Sequence, residues 1–388
     1  DVAPAFTANF TLNIAGEILV IAKPVFYKMT DPVKGELYKP VFVVPPVTVF
    51  ISPEVLLFQK NKKETKSVDV YTSANKALNS ETFKVKLRSK FYFKQQASTR
   101  TSFLKNAQGE YNFVLDRGPM TTNDQDNVYP LVDYGQDSTQ QNGYLSMTTI
   151  NYDHIPTIKY FYADPVKLLN IDLKIYNKKI GYIVGAGDRV PEALTQMGYD
   201  VTLLTKAEMA RNNLQQFDAI ISGVRAYNTN EWLNNYHDKL MRSVEGGGNL
   251  ITQYNTSTQI GPVRAKIGPY NFNISRNRIT DENAVVTFLQ PNHPVLNYPN
   301  KIGEEDFKGW IQERSIYHAG NFDTAYKAIL RMNDEGETGD DGSLIIAKYG
   351  KGYFTYTGLV FFRELPAGVP GAYRLLANII ALNRKKEM

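Results

Sequence analysis

The 388-residue chain has no cysteine, two tryptophans and four histidines. Without cysteine there can be no disulfide, no thiol nucleophile, no thiolate zinc site and no iron–sulfur cluster. The histidines, His154, His237, His293 and His318, form no H-x-x-H or H-E-x-x-H pattern. A catalytic metal is therefore not expected. No run of 18 apolar residues occurs, so no membrane-spanning helix is expected. The basic runs are short, Arg384-Lys385-Lys386 among them, and the net charge is only +5. Nucleic acid is accordingly not an expected partner. The chain opens at Asp1 with no charged and then apolar leader. It reads as a processed chain or a piece of a longer one.

What is present is a hydrophobic content of 43% and an aromatic content of 12%, with 25 tyrosines. That is enough apolar surface for two or three cores. The pattern changes near residue 175. Before it, short runs with β-branched or aromatic alternation recur, such as Thr48-Val49-Phe50-Ile51, Ser67-Val68-Asp69-Val70-Tyr71, Phe91-Tyr92-Phe93 and Tyr111-Asn112-Phe113-Val114-Leu115. This pattern predicts all-β structure of the immunoglobulin-like sandwich kind. Pro45-Pro46 is read as a seam, giving a partial β module over 1–46 and a sandwich over 47–175, with the polar stretch 117–143 as a long loop.

After residue 175 strands and helices alternate. Lys179–Val184 is a buried strand. Pro191 opens a helix that Gly198 closes, Asp200–Leu204 and Phe217–Gly223 are strands, and a long helix over about Asn230–Val244 leads into Gly246-Gly247-Gly248 and a fourth strand. Strands over Ser343–Tyr349 and Gly352–Gly358 and a helix over Ala372–Asn383 complete it. The alternation predicts a mostly parallel α/β sheet of the flavodoxin-like kind over 176–388.

Candidate site residues gather where strands end, since ligands of open α/β sheets bind at carboxyl ends of strands. Gly185-Ala186-Gly187-Asp188 has two of the three glycines of a dinucleotide loop, but Val190 stands where the third belongs, so the fingerprint fails and no cofactor is expected. After the third strand, Arg225, Tyr227 and Asn228 offer a cation, an aromatic face and a bidentate amide. After the fourth, Tyr254 and Asn255 occupy the position where hydrolases place a nucleophile. The small residues of a serine elbow are missing, and a phenol with a pKa near ~10 is a poor acyl nucleophile. Trp310, Glu313 and Arg314 form a possible sugar platform with polar handles. Arg363 and Glu364 follow the last strand, at the same sheet edge.

Four stretches carry a family resemblance: TDPVKGELYKP at 30–40, GVRAYN at 223–228, HPVLNYPNKI with GWIQER within 293–314, and TYTGLVFFRELPAGVPGAYRL at 355–375. They resemble the C-terminal region of large bacterial LmbE-like deacetylases of the PIG-L family. The α/β half is similar to class I glutamine amidotransferase-like and ThuA-like domains. The resemblance implies an upstream zinc-dependent deacetylase domain acting on N-acetylglucosamine-type substrates. That domain's Ala-His-Pro-Asp-Asp motif has no match here. It also places Tyr254 or Gln253 in the slot of the amidotransferase cysteine and 361–364 near its His-Pro-Glu, so both nucleophile and base are absent. The implied role is a non-catalytic, extracytoplasmic accessory region that binds carbohydrate or amino-sugar conjugates. The alternatives are a hydrolase using Glu313 or Glu364 as general acid/base, and a scaffold for assembly.

Overall fold

The computed structural model describes residues 4–60, 62–77, 83–90, 97–100, 104–122, 124–133, 145–257 and 266–384. Of the expected elements, Phe91-Tyr92-Phe93 and residues 123 and 134–143 of the polar loop lie outside these residues, and in the described part of that stretch Gln125–Asp133 is a strand, not loop. The chain divides into two compact units. The first takes 1–54, 63–119 and 126–167, and the second takes 55–62, 120–125 and 168–388. This division differs from the seams at 46 and 175, because three short segments of the expected sandwich, 55–62, 120–125 and 168–175, belong to the second unit.

Among its described residues the first unit is built from strands alone. Thr7–Ile14 and Glu17–Pro24 form a hairpin whose turn, Ala15-Gly16, has φ of 53° and 91° at its two central residues. That conformation matches the twist of the flanking strands. A second hairpin pairs Phe26–Asp31 with Gly35–Pro40, its turn held by Val33 and Lys34 amides donating to Asp31. Val47–Ser52, Thr65–Ala74, Gln108–Asp116 and Ala97–Arg100 follow one another across a four-stranded sheet. Alternation along Thr65–Ala74 buries Val68, Val70 and Thr72 and turns the intervening residues outward, as a strand with one covered face requires.

The second unit carries a seven-stranded sheet. Its strands are β1 (Lys179–Ile183), β2 (Asp200–Leu203), β3 (Ala219–Ser222), β4 (Asn249–Gln253), β5 (Tyr326–Ala328), β6 (Leu344–Tyr349) and β7 (Gly352–Thr357), in the order β2-β1-β3-β4-β7-β6-β5. The first five in that order run parallel, β6 pairs antiparallel with β7, and β5 pairs antiparallel with β6 at the edge. Its helices include α1 (Val190–Met197), α2 (Lys206–Arg211), α3 (Ala226–Thr229), α4 (His237–Glu245), α5 (Phe361–Ala367) and α6 (Pro370–Ile380), with one further turn of helix at Pro294–Asn297. On one face of the sheet Tyr182, Ile221 and Ile251 pack with Leu194 and Met197 of α1 and Leu375 and Ile379 of α6. On the other, Ile183, Ile220 and Leu250 pack with Leu240 and Val244 of α4. Burial on both faces explains why these strands read as continuous apolar runs.

Helix α1 has the expected ends. Pro191 lies in its first turn, and Gly198 closes it at φ 100°, its amide donating back to Thr195 and Leu194 carbonyls. The helix expected over 230–244 is shorter than the sequence suggested. Glu231–Tyr236 is a 3₁₀ turn and only His237–Glu245 is α-helical. Asn230 turns its side chain onto the carbonyls of Val184 and Ala226, the local bonding by which asparagine competes with a helix. Residues 361–367, to which the sequence reading assigns no helix, form one that places Pro366 near its end and stops at Gly368 with φ 75°. Between β4 and β5 the chain makes a long excursion tied by two-residue strand pairs, Arg278–Ile279 with Ser315–Ile316 and Asn273–Ile274 with Ala319–Gly320.

Candidate functional site

The turn after β1 is locked to the turn after β3. Asp188 accepts from the Tyr182 hydroxyl (2.5 Å) and from the amides of Val190 and Val224 (3.1 Å each). Ala186 N donates to Val224 O, and a Cβ on Gly185 would stand 2.1 Å from that same carbonyl. This glycine serves close backbone approach, not phosphate binding. Gln253, at the end of β4, is buried and donates to the Tyr182 hydroxyl at 3.0 Å, so it faces into the fold.

Asn228 and Asn255 are stitches between two loops. Asn255 accepts from Tyr227 N (2.9 Å) and donates to Gln253 O (3.0 Å), while Asn228 accepts from Thr256 N (2.9 Å) and donates to Thr256 O (3.2 Å). Both are buried, and Tyr227 lies in the core below α4. These three, expected to meet ligand, instead hold the loops that carry the residues beside them.

Those loops carry Arg225, half-buried, and Tyr254, 9% exposed. Arg225 has φ 57°, and its amide donates to Tyr254 O at 2.8 Å. The Tyr254 ring lies 5.7 Å from the Tyr317 ring at 9° between planes, and 5.4 Å from the Phe362 ring. Burial raises the Tyr254 hydroxyl above its ordinary pKa, while the Arg225 and Arg363 charges act to lower it. The phenol is thus protonated at neutral pH and available as a donor. Arg363 lies over Phe362 at 5.0 Å, forms an ion pair with Glu313 at 3.0 Å and donates to the Gln312 side chain.

Backbone conformation sets this cluster apart. Among the described residues, seven non-glycine residues have positive φ, and Arg225, Gln312 (φ 65°) and Tyr317 (φ 51°) are three of them. Long and aromatic side chains rarely adopt this region, and such strain gathers at functional sites. The Tyr317 carbonyl accepts from the buried Tyr356 hydroxyl at 2.7 Å, and the Gln312 amide donates to Glu282.

Three other expected site residues are structural. Trp310 is 2% exposed, stacks on Phe307 at 5.5 Å and donates from its indole to Asp306 O. It offers no ring face to a ligand. Arg314 is buried beside those rings and donates to the carbonyls of Phe307 and Ala284. Glu364 is fully enclosed, accepting from Ile311 N at 3.2 Å, and burial pushes its carboxyl up to about 8 against the opposing pull of that bond and of Arg314. Glu313 and Glu364 therefore form no pair of carboxylates in an open cleft. Of the ten expected residues, Arg225, Tyr254, Glu313 and Arg363 come together, and Gln312, Tyr317 and Phe362 join them. Nothing in the residue types of Gln312 or Tyr317 announces their left-handed backbone. Phe362 sits inside the FFRE stretch, where the charged neighbours drew attention instead.

The structure also builds a His-Asp pair that is not visible along the chain. His318 bonds Asp340 through Nδ1 at 2.5 Å and Ser315 through Nε2 at 2.7 Å. The spacing is that of a serine hydrolase relay, but Ser315 and His318 are both 0% exposed, so the hydroxyl meets no substrate. No group of three His, Asp or Glu suited to a metal ion occurs among the described residues.

No family model and no curated protein matches the chain. Among solved structures it is similar over 53% of its length to 31% of the cold-adapted β-galactosidase from Rahnella sp. R3, at 14% identity and a TM-score of 0.33. It is similar over 54% to 31% of the β-galactosidase from Bacillus circulans sp. alkalophilus, at 10% identity and a TM-score of 0.29. A family 123 glycoside hydrolase from Clostridium perfringens, described for glycolipid glycan hydrolysis, matches over 54% of this chain and 48% of its own, at 10% identity and a TM-score of 0.19. The chain spans less than half the length of each of these proteins. Likenesses of this size establish neither family nor activity.

Proposed function

We propose that the second unit binds carbohydrate, amino-sugar conjugates included, at the carboxyl ends of β3 and β4, and that it does so without catalysing a reaction. One observation carries the reading: the Tyr254 ring, 9% exposed, stacks on the half-buried Tyr317 ring within the electrostatic reach of Arg225 and Arg363, and Arg225 and Tyr317 sit in left-handed backbone. Aromatic faces stack on the C–H faces of a pyranose ring, and arginine and phenol donors meet its oxygens. Loops stitched by Asn228 and Asn255 fix these groups before ligand arrives, which reduces the ordering cost of binding.

The four sequence stretches that resemble LmbE-like deacetylases suggest where such a site would act. In that reading the chain is an accessory region that brings an upstream zinc deacetylase domain to its amino-sugar substrate, outside the cytoplasm. The order β2-β1-β3-β4 with helices on both faces supports a flavodoxin-like, amidotransferase-like domain whose nucleophile slot holds Tyr254. An immunoglobulin-like sandwich over 47–175 would be the spacer. No helix among the described residues is long and apolar enough to cross a membrane.

The test is a glycan array and thermal-shift screen of the full chain, repeated with Arg225→Ala and Tyr254→Phe. Stabilisation by amino-sugar oligomers that both substitutions abolish is the expected result. The absence of any shift with any glycan would defeat the binding reading and leave a scaffold role in its place.

A further inference from the structure

The charges around Tyr254 do not balance. Glu313 is committed to Arg363 at 3.0 Å, and Glu282 takes the Gln312 amide. The Arg225 guanidinium has neither a hydrogen bond nor an ion pair to any described residue, and its Nε is enclosed with no acceptor. The segment 258–265 that follows the fourth strand reads TQIGPVRA and contains no acid. A guanidinium held half-buried without an acceptor is unfavourable, and an anion supplied by a ligand removes that penalty. Buried Glu364 does little to offset the excess, because its carboxyl is held largely protonated near neutral pH.

The donors fit an anion in kind as well as in charge. Arg225 offers a planar fork that matches carboxylate or sulfate oxygens two at a time. The Tyr254 hydroxyl lies within the electrostatic reach of both arginines and of Glu313. Tyr317 and Phe362 supply flat apolar surface beside these donors. A neutral sugar would satisfy the aromatic faces and offer Arg225 hydroxyl oxygens, but no counter-charge.

Resting on the carbohydrate reading of this same site, we infer that its ligand is an acidic sugar, one whose pyranose ring carries a carboxylate or sulfate that pairs with Arg225 while the ring packs on the Tyr254–Tyr317 aromatic surface. Uronate and sulfated sugars share this chemistry, so the experiment uses an acidic and neutral pair for each. Titration calorimetry of the full chain compares trigalacturonate with its methyl ester, and a 6-sulfated N-acetylglucosamine trimer with the unsulfated trimer. The expected result is that one acidic member binds at least about tenfold more tightly than its neutral partner, the equivalent of one charge-assisted bond. That preference should weaken as salt is raised and disappear in Arg225→Asn. Asparagine tolerates the left-handed backbone at this position, so a folded variant is expected, and an unchanged thermal melt confirms it. Tyr254→Phe, which keeps the ring, should reduce affinity for acidic and neutral members alike if the hydroxyl contacts the ring, and for the acidic member alone if it contacts the anion. Equal binding of acidic and neutral members, or an acidic preference that survives Arg225→Asn, overturns the inference and leaves the carbohydrate reading standing. Failure of all four probes to bind overturns both.

Discussion

The Nδ1 atom of His318 lies 2.5 Å from Oδ1 of Asp340, whose other oxygen accepts from Asn277 at 2.6 Å. Burial would raise the Asp340 carboxyl, but the bonds from His318, Asn277 and Gly342 N outweigh it and bring the pKa down to about 2. A depressed folded-state pKa contributes stability that is present above the unfolded value, near ~4, and is lost as pH falls toward about 2. Acid titration of the melting temperature should therefore show a loss of about 2 kcal/mol across that window, absent in Asp340→Asn. That variant should be less stable at neutral pH by about 1–3 kcal/mol, because its amide nitrogen faces the Asn277 donor. A fluorophosphonate probe should not label the sealed Ser315, and labelling that Asp340→Asn abolishes would show the relay to be catalytic.

Glu364 responds to pH in the opposite sense. Its folded-state pKa of about 8 lies above the unfolded value near ~4, so its contribution is complete below that value and declines as pH rises to about 8. Glu364→Gln keeps an acceptor for Ile311 N without the ionisation. At pH 8 it should be more stable than the parent by on the order of 2–4 kcal/mol, with a flatter profile between pH 5 and 8. A parallel profile in chemical denaturation would contradict the buried, protonated state.

Gln312 is exposed and sits at φ 65°. Gln312→Gly should relieve the left-handed strain and, after the added freedom of the unfolded chain, stabilise by about 0.5–1 kcal/mol. The same change removes the side-chain oxygen that Arg363 contacts. Ligand affinity should therefore fall as the melting temperature rises, and a variant that gains in both would remove Gln312 from the site.

Asn255→Ala leaves the buried Tyr227 amide without its acceptor. The expected loss is about 1–3 kcal/mol of stability in urea unfolding, with weaker glycan binding through a loosened Arg225 loop. Asn255→Asp keeps the acceptor oxygen but loses the donor to Gln253 O, and full stability in that variant would count against the stitch.

The framework of the second unit could be read where local chemistry and burial agree. Pro191 and Gly198 mark a helix by conformational preference alone, and runs such as Ala219–Ser222 are apolar because both sheet faces are covered. Residues 361–367 escaped because Pro366 inside the run lacks the N–H that would bond the carbonyl four residues back, so a helix this short carries no helical signature. The site was half legible. An asparagine at a strand end has the same donors and acceptors whether it meets a ligand or a backbone, so Asn228 and Asn255 were indistinguishable from ligand groups until their partners were seen. Trp310 beside Gln312, Glu313 and Arg314 suggested an exposed platform, but burial is decided by the excursion folding over it. His318 and Asp340 are 22 residues apart and meet only through tertiary structure.

Arg225 and Tyr254 are anchored by the sheet itself, whereas Glu313 and Tyr317 come from the excursion between β4 and β5. Within that excursion Trp310, Arg314 and Ser315 are buried, whereas Gln312, Glu313 and Tyr317 reach the site. Changing those three positions would alter which substituent fits beside the tyrosine stack while β1 to β4 keep their register. Such a scaffold can acquire a new preference by altering a few neighbouring positions, and a library randomised at those three alone is the natural starting point for redirecting it.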